Sequence, residues 1–496
     1  MIWILILFLF NALFMLIIAI REVRRPAKAL NWLAISLILP IIGFVFYLSS
    51  TNPVGIRSKN LTSSNKEPDQ LPDSFSRSAS VISQALSHLS VHGLRTSKVQ
   101  PLINGMETYE KLIESLQSAQ NTIDLEYFIY RDDQVGRRIT NELVERAKAG
   151  VRVRFIRDGL GSSKFPRHQI TRMTEAGIKC RTIFPLRFPW ILSNWNYRDH
   201  CKIVTIDGEK AFTGGINVGY EYTGLKPDVG YWRDTHLYID GEASADLQKI
   251  FEVHWQLALP ERIKARNGRK TEQTHSKNHS SSNMKALSHL STEWSAELGD
   301  TNDIHTTQST DSLNKAYIQT LEGNPGIPTP VIREAYFICL SQASRSIDIT
   351  TPYFIPDEDI LMALKTAVAR GVRVRLLVPL NVDKKIVEAA SRTYFGELLE
   401  AGVKIYQYNK GMLHAKQMTI DGEIAEIGAA NWDLRSFRLS YETCEFIYSS
   451  DVAEDLTKQF ERDLNDSVPL RIEDLTRRSL SQRVMEQGAR LFSPLL

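Results

Sequence analysis

Two stretches of this chain, beginning at Thr122 and at Ile347, spell the same structural phrase, and that duplication limits the fold more than any single segment. The first runs Thr122-Ile-Asp-Leu-Glu-Tyr-Phe-Ile129, then a helical stretch to Lys148-Ala-Gly150, then Val151-Arg-Val-Arg-Phe-Ile156. The second runs Ile347-Asp-Ile-Thr-Thr-Pro-Tyr-Phe-Ile355, a helical stretch to Arg370-Gly371, then Val372-Arg-Val-Arg-Leu-Leu-Val378. Each reads as strand, helix, strand with a glycine just past the helix, which suits a right-handed crossover in a largely parallel sheet. Each then repeats a smaller phrase, Ala176-Gly-Ile-Lys179 and Ala401-Gly-Val-Lys404, as helix end plus strand. The class is α/β, with one layered domain in each half.

We place these domains at 81–261 and 315–496, with a low-complexity linker at 262–314 that includes Thr274-His-Ser-Lys-Asn-His-Ser-Ser-Ser-Asn283. Its histidines show no repeated ligand spacing, so it is a linker and not a metal tract. Ahead of the duplication, Ile2 to Ile20 and Leu33 to Leu48 are apolar runs close to the roughly 20 residues that cross a bilayer. They are joined by a short basic turn containing Pro26. The expectation is a transmembrane hairpin over 1–50, hence a multi-pass cell-membrane protein, followed by a juxtamembrane linker at 51–80. Four basic residues in the turn 21–28 place it in the cytoplasm and the folded domains outside. Sixty Lys+Arg against 57 Asp+Glu leave a net charge of +3, poor footing for a dedicated nucleic-acid binder. The four cysteines are far apart without a C-x-x-C pair, which excludes a disulfide scaffold and a cysteine zinc site.

The chemistry-bearing residues are duplicated too. The first half contains His200-Cys-Lys202-Ile-Val-Thr-Ile-Asp207 and then Asn217; the second contains His414-Ala-Lys416-Gln-Met-Thr-Ile-Asp421 and then Asn431. Both read H-x-K-x4-D with an Asn seventeen residues after the His. His and Lys two apart on a strand share a face, so an imidazole and an ammonium enter one pocket. Lys and Asn donate to the nonbridging oxygens of a phosphate, while one His attacks phosphorus and the other protonates the leaving oxygen. A metal is not needed, because the lysines supply the charge, and no carboxylate cluster in the sequence offers a divalent site. Asp207 and Asp421 complete the candidate catalytic set but fall on the opposite strand face, mainly as structural anchors. Glu442 and Asp234, each in a strand-like run after the Asn turn, are placed to orient the histidines. The spacing alone is a weak signal, since His275-Ser-Lys277 in the linker also reads H-x-K; two matched copies inside duplicated domains are a strong one.

At these residues the chain resembles the phospholipase D superfamily and, within it, the bacterial cardiolipin synthases. The synthase-like phrases are Leu39-Pro-Ile-Ile-Gly-Phe44, Gly214-Gly-Ile-Asn-Val-Gly-Tyr-Glu-Tyr222, Tyr231-Trp-Arg-Asp-Thr-His-Leu237, Thr351-Pro-Tyr-Phe-Ile-Pro356 and Asn431-Trp-Asp-Leu-Arg-Ser-Phe437. The resemblance implies two phospholipase D-like α/β/α sandwich domains related by a pseudo-twofold axis. It implies transfer of a phosphatidyl group between two phosphatidylglycerols at a bilayer, through a phosphohistidine and without a cofactor. The first-half His200 then attacks and His414 acts as acid, then base; sequence symmetry alone does not assign these roles. The motifs also fit a phospholipase D hydrolase or another acceptor alcohol, because water and glycerol attack the same intermediate. The chain departs from the family at Cys201, often arginine there, and at Ala429-Ala430, where serine is common. One stretch has no counterpart in the second half: Phe184-Pro-Leu-Arg-Phe-Pro-Trp-Ile-Leu-Ser-Asn-Trp-Asn-Tyr-Arg198, either an interfacial lipid-guiding loop or a satellite aromatic cluster.

Overall fold

The computed structural model describes residues 2–22, 26–41, 43–44, 47, 71–186, 197–261, 313–327, 329–382, 384–476, 478–491 and 493. Most of the expected linkers at 51–80 and 262–314 lies outside these residues. In the first half the strands are β1 Arg95–Ile103, β2 Thr122–Tyr127, β3 Arg152–Asp158, β4 Lys179–Ile183, β5 Arg198–Asp199, β6 Lys202–Ile206, β7 Lys210–Gly214, β8 Tyr231–Arg233, β9 Thr235–Gly241 and β10 Leu259–Pro260. Their main sheet has the order β4–β3–β2–β6–β7–β9–β1. The second half has β11 Asn314–Gly323, β12 Ser346–Thr350, β13 Phe354–Ile355, β14 Arg373–Pro379, β15 Lys404–Tyr408, β16 Gly411–Leu413, β17 Gln417–Ile420, β18 Ile424–Gly428, β19 Trp432–Asp433 and β20 Ser440–Tyr448. Its order, β15–β14–β12–β17–β18–β20–β11, copies the first. Antiparallel pairing of β1 with β11 joins the two sheets, with Arg95 opposite Ile318.

The crossovers form as their sequence dictates. Helix Gln134–Lys148 starts on Asp133, whose side chain accepts from Gly136 N at 3.1 Å, and stops before Gly150 at φ 97°. Helix Glu358–Ala369 starts on Asp357, which accepts from Ile360 N at 3.1 Å, and stops before Gly371 at φ 88°. A carboxylate satisfies an orphan amide at each start, and glycine takes the left-handed exit without a Cβ penalty. The second Arg of each Val-Arg-Val-Arg phrase grips the preceding strand: Arg154 is bidentate on Asp124 and Arg375 on Asp348, at 2.6–2.9 Å.

Only β2–β3–β4 and β12–β14–β15 run parallel; the rest of each sheet is antiparallel. The largely parallel sheet expected from the crossovers is therefore a mixed one. The reversal follows from Asp207-Gly208 and Asp421-Gly422, whose φ values of 54°, 73°, 55° and 67° are those of a tight hairpin turn. Apolar packing then fuses the halves: Ile239, Leu247 and Phe251 share a core cluster with Ile318, Ile427, Ile447 and Leu456. At about 1.5–3 kcal/mol per buried side chain of this size, that contact is a permanent interior.

At the N-terminus, helices run over Ile2–Arg21 and Pro26–Ile38 and meet around Ile18, Trp32, Ile35 and Tyr47. Among the described residues, no helix is long and apolar enough to cross a membrane. The second, at 13 residues, reaches about 20 Å of a hydrocarbon core about 30 Å thick. The expected pair of full spans over 2–20 and 33–48 is thus not shown as such.

Candidate active site

His200 sits between β5 and β6, and its backbone N donates to Tyr441 O at 2.9 Å, because β5 lies parallel to the start of β20. His414 sits between β16 and β17, and its N donates to Arg233 O at 2.7 Å, because β16 lies parallel to β8. Each histidine is therefore held against a strand of the other half. The residue that follows each of those acceptors in the chain is a carboxylate, Glu442 within β20 and Asp234 just past β8. His200 Nδ1 lies 2.9 Å from Glu442 Oε2, and His414 Nδ1 lies 2.7 Å from Asp234 Oδ2. Chain order puts Asp234 in the half of His200 and Glu442 in the half of His414; the fold exchanges them.

The His414 imidazole is buried and that of His200 largely so, and both are pushed toward the neutral form. Burial pushes His414 down to about 4, with Lys416 adding to the effect, and pushes His200 well below its ordinary value, with Lys202 and Lys416 adding. A neutral ring whose Nδ1–H is donated to a carboxylate keeps its lone pair on Nε2, the nitrogen available to phosphorus. The lysines are fully buried. Lys202 Nζ donates to His200 O at 2.5 Å, and Lys416 Nζ donates to His414 O. Lys416 Nζ also approaches His414 Nδ1 at 2.9 Å, but that nitrogen's proton belongs to Asp234, so this is proximity and not a second hydrogen bond. Burial lowers Lys202 and brings Lys416 to about 7, and an anion bound beside them would restore their charge. The two carboxylates differ. Burial raises Glu442 to about 7, whereas at Asp234 burial is outweighed by Lys416 and His414, which hold it below the usual range.

The asparagines flank this cluster on equivalent turns. Asn217 Oδ1 accepts from Ile129 N at 3.1 Å, and Tyr109 Oη donates to Asn217 O. Asn431 N donates to Ser436 Oγ at 3.1 Å, while its side-chain oxygen is buried without a hydrogen-bond partner among the described residues. Gly215 has to be glycine, since a Cβ there would lie 2.1 Å from Asp234 Oδ1. Asp207 and Asp421 do not join the cluster. Asp207 accepts from the backbone N of Gln120, Asn121 and Thr122, and Asp421 from those of Ser344, Arg345 and Ser346, which ties each hairpin turn to its neighbouring strand. Sequence reasoning missed two aromatic walls, Phe128 with its ring 5.0 Å from that of His200 and Trp232 5.2 Å from that of His414. Their position inside the repeated Tyr-Phe phrase and directly before Arg233-Asp234 was the available signal.

Beside the site the fold gathers a group that the sequence did not announce, Glu126, Asp199, Cys201 and His254, all buried and close enough together to be weighed as metal ligands. The distances suit hydrogen bonds better than ligation. His254 Nδ1 is 2.6 Å from Glu126 Oε1 and Nε2 is 3.2 Å from Glu322 Oε1, so both nitrogens carry protons to carboxylates. Burial opposes that charge, but Glu126 and Glu322 outweigh it and raise His254 well above its ordinary value. An imidazolium has no lone pair for a metal. Cys201 packs into the apolar cluster away from solvent. Of the unmatched first-half stretch, Phe184 packs with its ring 5.6 Å from that of Tyr441, tilted by 33°, and Tyr197 is buried. Residues 187–196, with Trp190, Ile191 and Leu192, lie outside the described residues.

Comparison with known proteins agrees with this geometry. Residues 112–255 and 336–464 match the family model described as cardiolipin synthase, PLD-like domain. The chain is 38% identical to the cardiolipin synthase of Geobacillus sp. (strain WCH70), over 98% of this chain and 92% of that protein. It is 36% identical to cardiolipin synthase 2 of Bacillus anthracis, over 96% and 88%. The crystal structure of phosphatidylserine synthase from Haemophilus influenzae Rd KW20 shares the fold, with a TM-score of 0.59 at 15% identity, over 80% of this chain and 95% of that one.

Proposed function

We propose, for a chain that belongs to the cardiolipin synthase family of phospholipase D-like proteins, that it transfers a phosphatidyl group from one phosphatidylglycerol to another. His200 Nε2 attacks phosphorus, the bond to the headgroup glycerol breaks, and His414, which takes up a proton from water on Nε2 when the phosphodiester anion binds, gives that proton to the glycerol oxygen. The hydroxyl of a second phosphatidylglycerol then gives its proton to His414 and attacks the phosphohistidine, forming cardiolipin and freeing His200. Glycerol leaves. The observation that carries this reading is the crossed pair of Nδ1–carboxylate contacts, which aims two neutral imidazoles into one lysine-lined site. The ionised Asp234 suits His414 for the proton-carrying role, because it stabilises the imidazolium that forms there. Lys202, Lys416, Asn217 and Asn431 hold the nonbridging oxygens, and no step calls for a metal or cofactor.

The substrates place the enzyme at a bilayer. Exposed apolar side chains on the first helix, among them Phe8, Leu9, Phe10, Leu13 and Leu16, support an N-terminal hairpin that anchors the chain in the cell membrane. The test is thin-layer analysis of lipids after the purified protein is incubated with phosphatidylglycerol alone. Cardiolipin plus glycerol is the expected outcome. Phosphatidic acid as sole product means that water is the acceptor and the enzyme a hydrolase. Full turnover in either His200→Ala or His414→Ala would sink the two-histidine scheme.

A further inference from the structure

The proposed acceptor is itself an anion. It carries a phosphodiester one glycerol chain away from the hydroxyl that attacks, so a second negative phosphate has to rest close to the one held by the catalytic lysines. Like charges at that spacing repel unless another cation lies beside them.

The two halves differ at the place where such a cation is needed. Four residues after Asn217 stands Glu221, occupied by Arg131 Nε at 3.2 Å, whereas four residues after Asn431 stands Arg435. On the same side lies Lys384, exposed, with Nζ 5.0 Å from the centre of the Tyr353 ring. That ring is fixed to the asparagine-bearing strand. Pairing of Phe354 with Trp432 sets Tyr353 beside Asn431, while Thr351 Oγ1 accepts from Trp432 N at 3.3 Å and donates to Tyr353 O at 3.0 Å. Among the described residues no carboxylate forms an ion pair with Lys384, and its charge is felt at His200 and at Asp433. The first half has no counterpart: the equivalent bridge, Tyr130 to Val218, puts Ile129 where the second half has Tyr353.

We infer that Lys384, resting on Tyr353, forms a second phosphate subsite at the mouth of the active site and holds the acceptor lipid's own phosphodiester while its hydroxyl attacks. This rests on the reaction proposed above. Lys384 is then a positioning residue that selects for a phosphate-bearing acceptor, and any effect of its charge on phosphohistidine formation is common to both acceptors and cancels in the ratio of their rates.

The experiment compares two acceptors in the same vesicles of phosphatidylglycerol and phosphatidylcholine. One rate is cardiolipin formation; the other is incorporation of labelled free glycerol into phosphatidylglycerol, which uses the same intermediate with a neutral acceptor. Lys384→Met should lower the ratio of cardiolipin formation to glycerol exchange about tenfold, the scale of one charge-assisted phosphate contact. Lys384→Arg should restore most of it. A ratio unchanged in Lys384→Met, whether both rates fall or neither does, overturns the assignment. Absence of cardiolipin from the unmodified enzyme refutes the proposed reaction itself and takes this subsite with it.

Discussion

Replacing Lys416 by methionine should abolish transfer and yet make the protein more stable. A lysine in water holds its proton to about 10.5, but burial brings Lys416 to about 7. Folding at neutral pH therefore opposes this side chain by about 4 kcal/mol. The substitution also removes the donor to His414 O, a loss of about 1 kcal/mol, which leaves a net gain of about 3 kcal/mol. In a folded region of this size that is a rise in Tm of about 3 °C. The sign with pH is specific. The unfolded lysine binds a proton that the folded one gives up near 7, so the penalty is full below that and fades as pH climbs toward 10.5. Thermal unfolding of both proteins in one detergent should thus show the full difference at about pH 6.5 and less than about 1 °C at about pH 9.5. Turnover should fall by about two to three orders of magnitude, as for loss of a donor to developing charge. A variant no more stable than its parent, or a Tm difference that ignores pH, would refute the reasoning.

The remaining expectations follow from the same site. Asp234→Asn and Glu442→Gln should each lower turnover by about 10²–10⁴ with little change in fold, because each misorients one imidazole. Mass spectrometry of alkali-quenched enzyme should find phosphohistidine accumulating in Asp234→Asn and missing in Glu442→Gln; the reverse pattern exchanges the roles of His200 and His414. Asp207→Ala should cost about 2 kcal/mol or more in unfolding measurements but leave activity per folded molecule within about threefold, since its bonds go to backbone amides. The three amides overcome partial burial and hold the Asp207 carboxyl low, so its contribution persists above the ordinary carboxylate range and is lost as pH falls through the folded value. Activity should survive EDTA; a loss reversed by one divalent ion alone would point back to the cluster at Glu126, Asp199, Cys201 and His254.

The residues proposed to do the chemistry were legible because duplication marks them twice: His200 with His414, Lys202 with Lys416, Asn217 with Asn431. The crossover units were legible from strand, helix and glycine order. Strand direction was not, although Asp207-Gly208 and Asp421-Gly422 are strong hairpin signals; as the last letter of the motif, the aspartates drew attention to chemistry and away from the turn. Which carboxylate serves which histidine was beyond reach. That depends on β5 lying against β20 and β16 against β8, pairings between segments with nothing local to announce them. The cluster around His254 is hidden for the same reason, since its members come from strands and a helix scattered between Glu126 and Glu322.

The exchange of carboxylates between halves sets when the enzyme can first work. Glu442 stands 242 residues beyond His200, and His414 stands 180 residues beyond Asp234. A growing polypeptide therefore emerges with its first histidine lacking the group that orients it, and the second half arrives to find Asp234 already made. Catalytic power switches on only after β20 has been made and closes against β5. A phospholipid-cleaving activity is thereby withheld from chains that still lack the second half.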